Sequence, residues 1–160
     1  MPMSLEGLEP KVQCVRRIHH VGITVAKLDR SLAFYRDLLG MTVLGLSGDE
    51  EVGDIVGIPG AQVRAADLDA GNGQVLELLE YSTGSAEQPV HGPDTIGTSH
   101  LSLQVDELSS TLSRLAEAGF EPMGQVTALE DGGVWEGCTV VYLRDPDGMI
   151  VELVEQACNG

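Results

Sequence analysis

The chain repeats itself, and this constrains its fold more than any other feature. Ile18-His19-His20-Val21-Gly22-Ile23-Thr24-Val25 lies over Thr98-Ser99-His100-Leu101-Ser102-Leu103-Gln104-Val105, with His20 and His100 in register 80 residues apart. At the same offset Val25 meets Val105, Leu28 meets Leu108, Ser31 meets Thr111 and Leu32 meets Leu112, and Gly40 then meets Gly119 after a one-residue deletion. Register resumes at an offset of 75, where Gly73-Gln74-Val75-Leu76-Glu77-Leu78-Leu79-Glu80 lies over Gly148-Met149-Ile150-Val151-Glu152-Leu153-Val154-Glu155. Each half therefore opens with a histidine and closes with a glutamate, and the chain is expected to fold as two copies of one unit.

The elements of that unit follow from periodicity. Residues 18–25 and 99–105 alternate with period two, which predicts strands. Leu28, Leu32, Tyr35 and Leu39 recur at helical spacing and stop at Gly40; Leu108, Leu112 and Leu115 do the same before Gly119, with Asp106 as the expected N-cap. Short apolar stretches follow at about 41–46, 61–68 and 74–81 in the first half and 123–129, 138–143 and 149–155 in the second, punctuated by turns such as Gly57-Ile58-Pro59-Gly60 and Asp145-Pro146-Asp147-Gly148. The unit reads βαβββ, used twice. The fold class is α+β, with module 1 at about 17–81, a Pro- and Gly-bearing connector at 82–97 and module 2 at about 98–157, all within a single domain spanning 1–160.

Composition narrows the function classes. The chain has 160 residues, 42% of them hydrophobic and 21% charged, which suits one globular core. Nine Lys and Arg stand against 25 Asp and Glu, a net charge of −16, so a phosphate backbone would be repelled and no nucleic-acid partner is expected. No apolar run approaches the ~18 residues of a membrane span, and Met1 to Pro10 lacks the pattern of a secretory signal, so a cytoplasmic protein without a membrane partner is expected. Cys14, Cys138 and Cys158 are odd in number and widely spaced, which argues for reduced thiols over a disulfide framework or a thiolate zinc site.

Strand parity carries the chemistry. Successive side chains point to opposite faces, so His20, Gly22 and Thr24 share one face while Val21, Ile23 and Val25 take the helix-covered side. Glu77, Leu79 and Tyr81 fall together, as do His100, Ser102 and Gln104, and Glu152 and Val154. Each half thus offers one imidazole and one carboxylate on its polar face. Alone, such a histidine or glutamate is more often structural or solvated. Recurrence at equivalent points of two diverged units favours a mixed N/O site for Zn²⁺, Ni²⁺, Co²⁺, Mn²⁺ or Fe²⁺, because packing would preserve the leucines without needing the histidines.

The run His20-Val21-Gly22-Ile23-Thr24-Val25, continued by Leu28-Asp29-Arg30-Ser31-Leu32-Ala33-Phe34-Tyr35-Arg36-Asp37-Leu38-Leu39-Gly40-Met41, resembles the opening of the vicinal oxygen chelate superfamily. That superfamily includes glyoxalase I, methylmalonyl-CoA epimerase, extradiol dioxygenases and bleomycin-resistance proteins. Asp145-Pro146-Asp147-Gly148-Met149-Ile150-Val151-Glu152-Leu153 resembles its closing motif. The likeness, over about residues 17–156, implies a U-shaped, mostly antiparallel sheet around one metal ion held by His20, Glu77, His100 and Glu152, and a homodimer. It also implies Glu152 as the catalytic carboxylate, with Glu77 as its counterpart.

The ligand set ranks the reactions. A divalent ion that stabilises an enolate, beside a carboxylate that takes the proton, suits a glyoxalase-type lyase, isomerase or epimerase of a small carbonyl substrate. His20, His100 and Glu152 alone would form the triad of a non-haem Fe(II) ring-cleaving dioxygenase, but Glu77 as a fourth ligand leaves less room for dioxygen and substrate. A non-catalytic antibiotic-binding resistance protein is the third reading. It is disfavoured by the complete ligand set and by only six aromatics, Phe 2, Trp 1 and Tyr 3. Gln104, Tyr81 and Arg64 are candidate substrate contacts, and Asp49-Glu50-Glu51 opens a Gly-rich segment read as a candidate lid. No cluster of cations suits the carboxylates of glutathione or the phosphates of coenzyme A. His19, on the opposite parity to His20, and His91, in the connector, are excluded as ligands.

Overall fold

A computed structural model describes residues 15–84, 91–130 and 132–156. Module 1 runs β1 (Val21–Thr24), α1 (Leu28–Leu32), a π-helical turn (Ala33–Leu38), β2 (Thr42–Glu51), a single-turn α2 (Gly53–Val56), β3 (Gln62–Asp69) and β4 (Val75–Tyr81). Module 2 runs β5 (His100–Val105), α3 (Leu108–Glu117), β6 (Thr127–Ala128), β7 (Cys138–Arg144) and β8 (Ile150–Gln156). The duplicated βαβββ unit expected from the repeat is present. Its strands form two four-stranded sheets, ordered β1-β4-β3-β2 and β5-β8-β7-β6. In each, the first and last strands of the module pair in parallel and the other pairings are antiparallel.

One apolar core serves both sheets. The inward parity of module 1, including Ile23, Leu76 and Leu78, clusters with Val141, Leu143, Val151 and Leu153 of module 2 and with Leu28, Leu32, Leu108 and Leu115 of the helices. Phe34 and Phe120 seal the junction edge to face, with ring centroids 4.7 Å apart. Each fully buried leucine stabilises by ~1.5–3 kcal/mol, so the two modules fold as one body around their helical faces. Their polar faces look outward, away from this core.

Several boundaries differ from the sequence expectation, each for a local reason. The helix after β1 does not run as α-helix to Leu39; residues 33–38 take π geometry, with the Leu39 N–H donating to the Phe34 carbonyl at 3.0 Å. Module 1 carries one residue more than module 2 between Leu32 and Gly40, and the wide turn absorbs it. The N-cap of α3 is Glu107, not Asp106. Asp49-Glu50-Glu51 belongs to β2, which pairs Glu50 with Val63 and Glu51 with Gln62, and the segment it opens forms the single-turn α2. β6 shrinks to two residues. Gly40 and Gly119 end their helices at φ +80° and +89°, as the stop signals predicted. Cys138 is buried and free, whereas Cys14 and Cys158 lie outside the described residues. Among the described residues no helix is long and apolar enough to cross a membrane.

Candidate functional site

Sheet register sets the site twice over. Parallel pairing places Gly22 opposite Glu77 in one sheet and Ser102 opposite Glu152 in the other, so the histidine two residues earlier stands diagonally from the glutamate in both. His20 Nε2 lies 3.6 Å from Glu77 Oε2, and His100 Nε2 lies 3.6 Å from Glu152 Oε2. The histidines are about half exposed (47% and 44%), and the glutamates are more recessed, at 30% and 16%. His20 Nδ1 is engaged by His19 Nδ1 at 2.9 Å, which leaves the Nε2 edge turned to Glu77.

Each pair combines one imidazole with one carboxylate, a donor chemistry that fits a borderline divalent ion. Two donors are half a coordination shell. Both pairs face away from the shared core on separate sheets, and among the described residues no group of three or more His, Cys, Asp or Glu side chains converges on a point that could hold a metal ion. The chain therefore presents two matching half-sets, not one closed set of four.

The neighbours of the two glutamates differ. Cross-strand pairing puts Asp67 beside Glu77 and Tyr142 beside Glu152. The Tyr142 ring also meets His100 edge-on, with centroids 5.2 Å apart. Burial raises the Tyr142 pKa first, and the charge of Glu152 and a hydrogen bond to it raise it further, so the hydroxyl keeps its proton and donates to the carboxylate. His100, Gln104 and Glu152 line a cavity of about 580 Å³ with Trp135 and Tyr142, while Glu77 and Tyr81 line one of about 450 Å³ on the other sheet. Arg64 is not brought to either cavity. It sits on the core-side parity of β3, where its guanidinium stands 3.7 Å from Glu80.

Tyr142 and Trp135 escaped the sequence reading. Tyr142 sits 75 residues after Asp67, so the second repeat offset marks it as a strand neighbour of Glu152, but that pairing depends on a register no single strand displays. Nothing in the pattern around Trp135 ties its loop to the sheet.

The family model described as Glyoxalase/Bleomycin resistance protein/Dioxygenase superfamily matches residues 17–153. The chain belongs to this superfamily. The resemblance carried by its opening and closing motifs is thereby borne out. Among its relatives, a lactoylglutathione lyase of Haemophilus influenzae is 31% identical over 140 residues, covering 87% of this chain and 92% of the relative. A 2-epi-5-epi-valiolone epimerase of an Actinomyces species is 28% identical over 143 residues, covering 86% and 78%. A solved glyoxalase family protein from Bacillus cereus shares the superfamily fold at a TM-score of 0.78, with 22% identity over 92% of this chain and 98% of the other.

Proposed function

We propose that this chain is a divalent-metal-dependent lyase, isomerase or epimerase of the glyoxalase type, acting on a small carbonyl substrate, and that two chains together complete its metal site. The observation carrying this reading is the recurrence of one His–Glu pair, with the same 3.6 Å separation, at the same register position of both sheets. Relatives named lactoylglutathione lyase and 2-epi-5-epi-valiolone epimerase support a reaction of this class. His20 and Glu77 from one chain, with His100 and Glu152 from a second, would hold Zn²⁺, Ni²⁺, Co²⁺, Mn²⁺ or Fe²⁺ in a homodimer. Bound there, the ion supplies Lewis acidity for the substrate oxygens.

The chain's own residues do the rest. Glu152 takes the substrate proton: it is the more recessed carboxylate and the one held by a protonated donor, Tyr142. Glu77 serves as its counterpart on the opposite side, where a proton must be returned. Gln104 and Tyr81, on the same faces as the two pairs, orient substrate oxygens. Glu152→Gln is expected to lower kcat by about 10²–10⁴-fold, with the circular dichroism spectrum and the melting temperature retained. Retained turnover in that folded variant overturns the assignment. His100→Ala is expected to lose most of the bound metal, measured by elemental analysis, and unchanged occupancy would refute the ligand set.

A further inference from the structure

The walls around the two His–Glu pairs carry a charge pattern that selects among carbonyl compounds. Around His100 and Glu152 the cavity is bounded by Leu129, Trp135, Val140 and Val154, and among the described residues Glu152 is the one carboxylate lining it. Around Glu77 the wall combines Leu46, Val52, Ile55 and Leu79 with the carboxylates of Glu50 and Asp67. Among the described residues, no lysine or arginine lines either cavity. Five of the described cations are engaged elsewhere: Lys27 and Arg64 with Glu80, Arg30 with Asp147, Arg36 with Asp37, and Arg144 with the carbonyls of Gly148 and His91. The whole chain adds a net charge of −16.

An anionic substrate body would meet carboxylates and apolar surface on these walls, and among the described lining residues no lysine or arginine offsets the cost of desolvating its charge. An uncharged apolar body instead gains from burial against Leu129, Val140 and Val154. Trp135, 67% exposed at the cavity rim, has unfilled contact surface facing solvent. We propose that the substrate is an uncharged carbonyl compound bearing adjacent oxygens and an apolar body that packs on Trp135, not a carboxylate-bearing thiol conjugate. This rests on the metal-dependent reading above and specifies the substrate class of that same site.

Trp135 is the only tryptophan in the sequence, so its emission reports this cavity directly. The full-length protein loaded with Zn²⁺ is titrated with butyroin, an uncharged aliphatic acyloin, and separately with S-hexylglutathione, which offers a comparable apolar tail but carries two carboxylates. Butyroin is expected to shift the emission to the blue and saturate, with S-hexylglutathione binding about tenfold more weakly or worse. Trp135→Ala is expected to weaken butyroin binding about tenfold by calorimetry while zinc content stays unchanged. Equal or tighter binding of S-hexylglutathione, or emission indifferent to butyroin, overturns the inference. The same titrations in Glu152→Gln separate the two readings. An inactive variant that prefers S-hexylglutathione sinks only the substrate class, and an active variant that prefers butyroin sinks only the catalytic assignment.

Discussion

Glu77 and Glu152 occupy equivalent positions on two strands, yet their surroundings suit different tasks. Glu77 faces the acid Asp67 across the ladder, and a side chain at Gly22 would come within 3.5 Å of its Oε2. Glu152 has a serine, Ser102, opposite it and a protonated phenol beside it. A donor aimed at a carboxylate fixes its rotamer, which matters for a group that must meet a substrate proton at a set angle. If Glu152 is the base of the proposed reaction, Tyr142 serves it as a positioning residue. Tyr142→Phe is expected to lower kcat roughly tenfold through loss of one hydrogen bond to a charged group, with KM and metal content little changed. A rise in KM at constant kcat would instead assign the hydroxyl to substrate binding.

At the scale of elements, the repeat also explains how the helices are held. Glu80 accepts from the Leu28 N–H at 2.8 Å, and Glu155, 75 residues later, accepts from the Leu108 N–H at 2.5 Å. A strand residue thus caps the first turn of each helix, satisfying a donor that neither Lys27 nor Glu107 caps with its own side chain. Ser31 and Thr111, the buried matching hydroxyls, donate back to the carbonyls of Lys27 and Glu107. The Leu28 N–H, aided by Lys27 and Arg64, holds the Glu80 carboxyl below its ordinary value of 4.5 despite partial burial. A depressed folded pKa gives stability that is present above pH 4.5 and lost as pH falls through the folded value. Glu80→Gln is therefore expected to cost ~1 kcal/mol near neutrality, and the gap to the parent protein should close on acidification in urea melts from pH 7 to pH 3. A gap independent of pH would mean that the carboxylate charge plays no part. Helix positions and glycine stops were legible because periodicity is local. The capping glutamates were visible as a repeated pair, but their role needed the strand beneath the helix.

Across the whole molecule, the closing motif of module 2 clasps the helix of module 1. Tyr35 donates to Asp145 Oδ2 at 2.9 Å, and the other oxygen of Asp145 accepts the backbone N–H groups of Asp147 and Met149. Asp147 accepts from the Ala26 N–H and pairs with Arg30. This clasp and the shared core join the two modules, and each His–Glu pair lies on the face of its sheet opposite that core. If each site takes one pair from each of two chains, chains lacking one pair should complement chains lacking the other. Mixing His20→Ala/Glu77→Gln chains with His100→Ala/Glu152→Gln chains is expected to restore metal binding, at one ion per mixed dimer, although neither variant binds metal alone. No recovery after refolding the two together would favour a site built within one chain.

The sequence by itself determined the duplication, the βαβββ unit, the superfamily and the identity of the two His–Glu pairs, because all of these rest on local periodicity and residue identity. Only the tertiary structure decided which faces the modules turn toward each other, that Arg64 serves Glu80, and that Tyr142 and Trp135 frame Glu152. Such relations depend on strand register and on which apolar surface finds which partner. Those are long-range choices, made by burial of a common core, and no stretch of sequence records them alone.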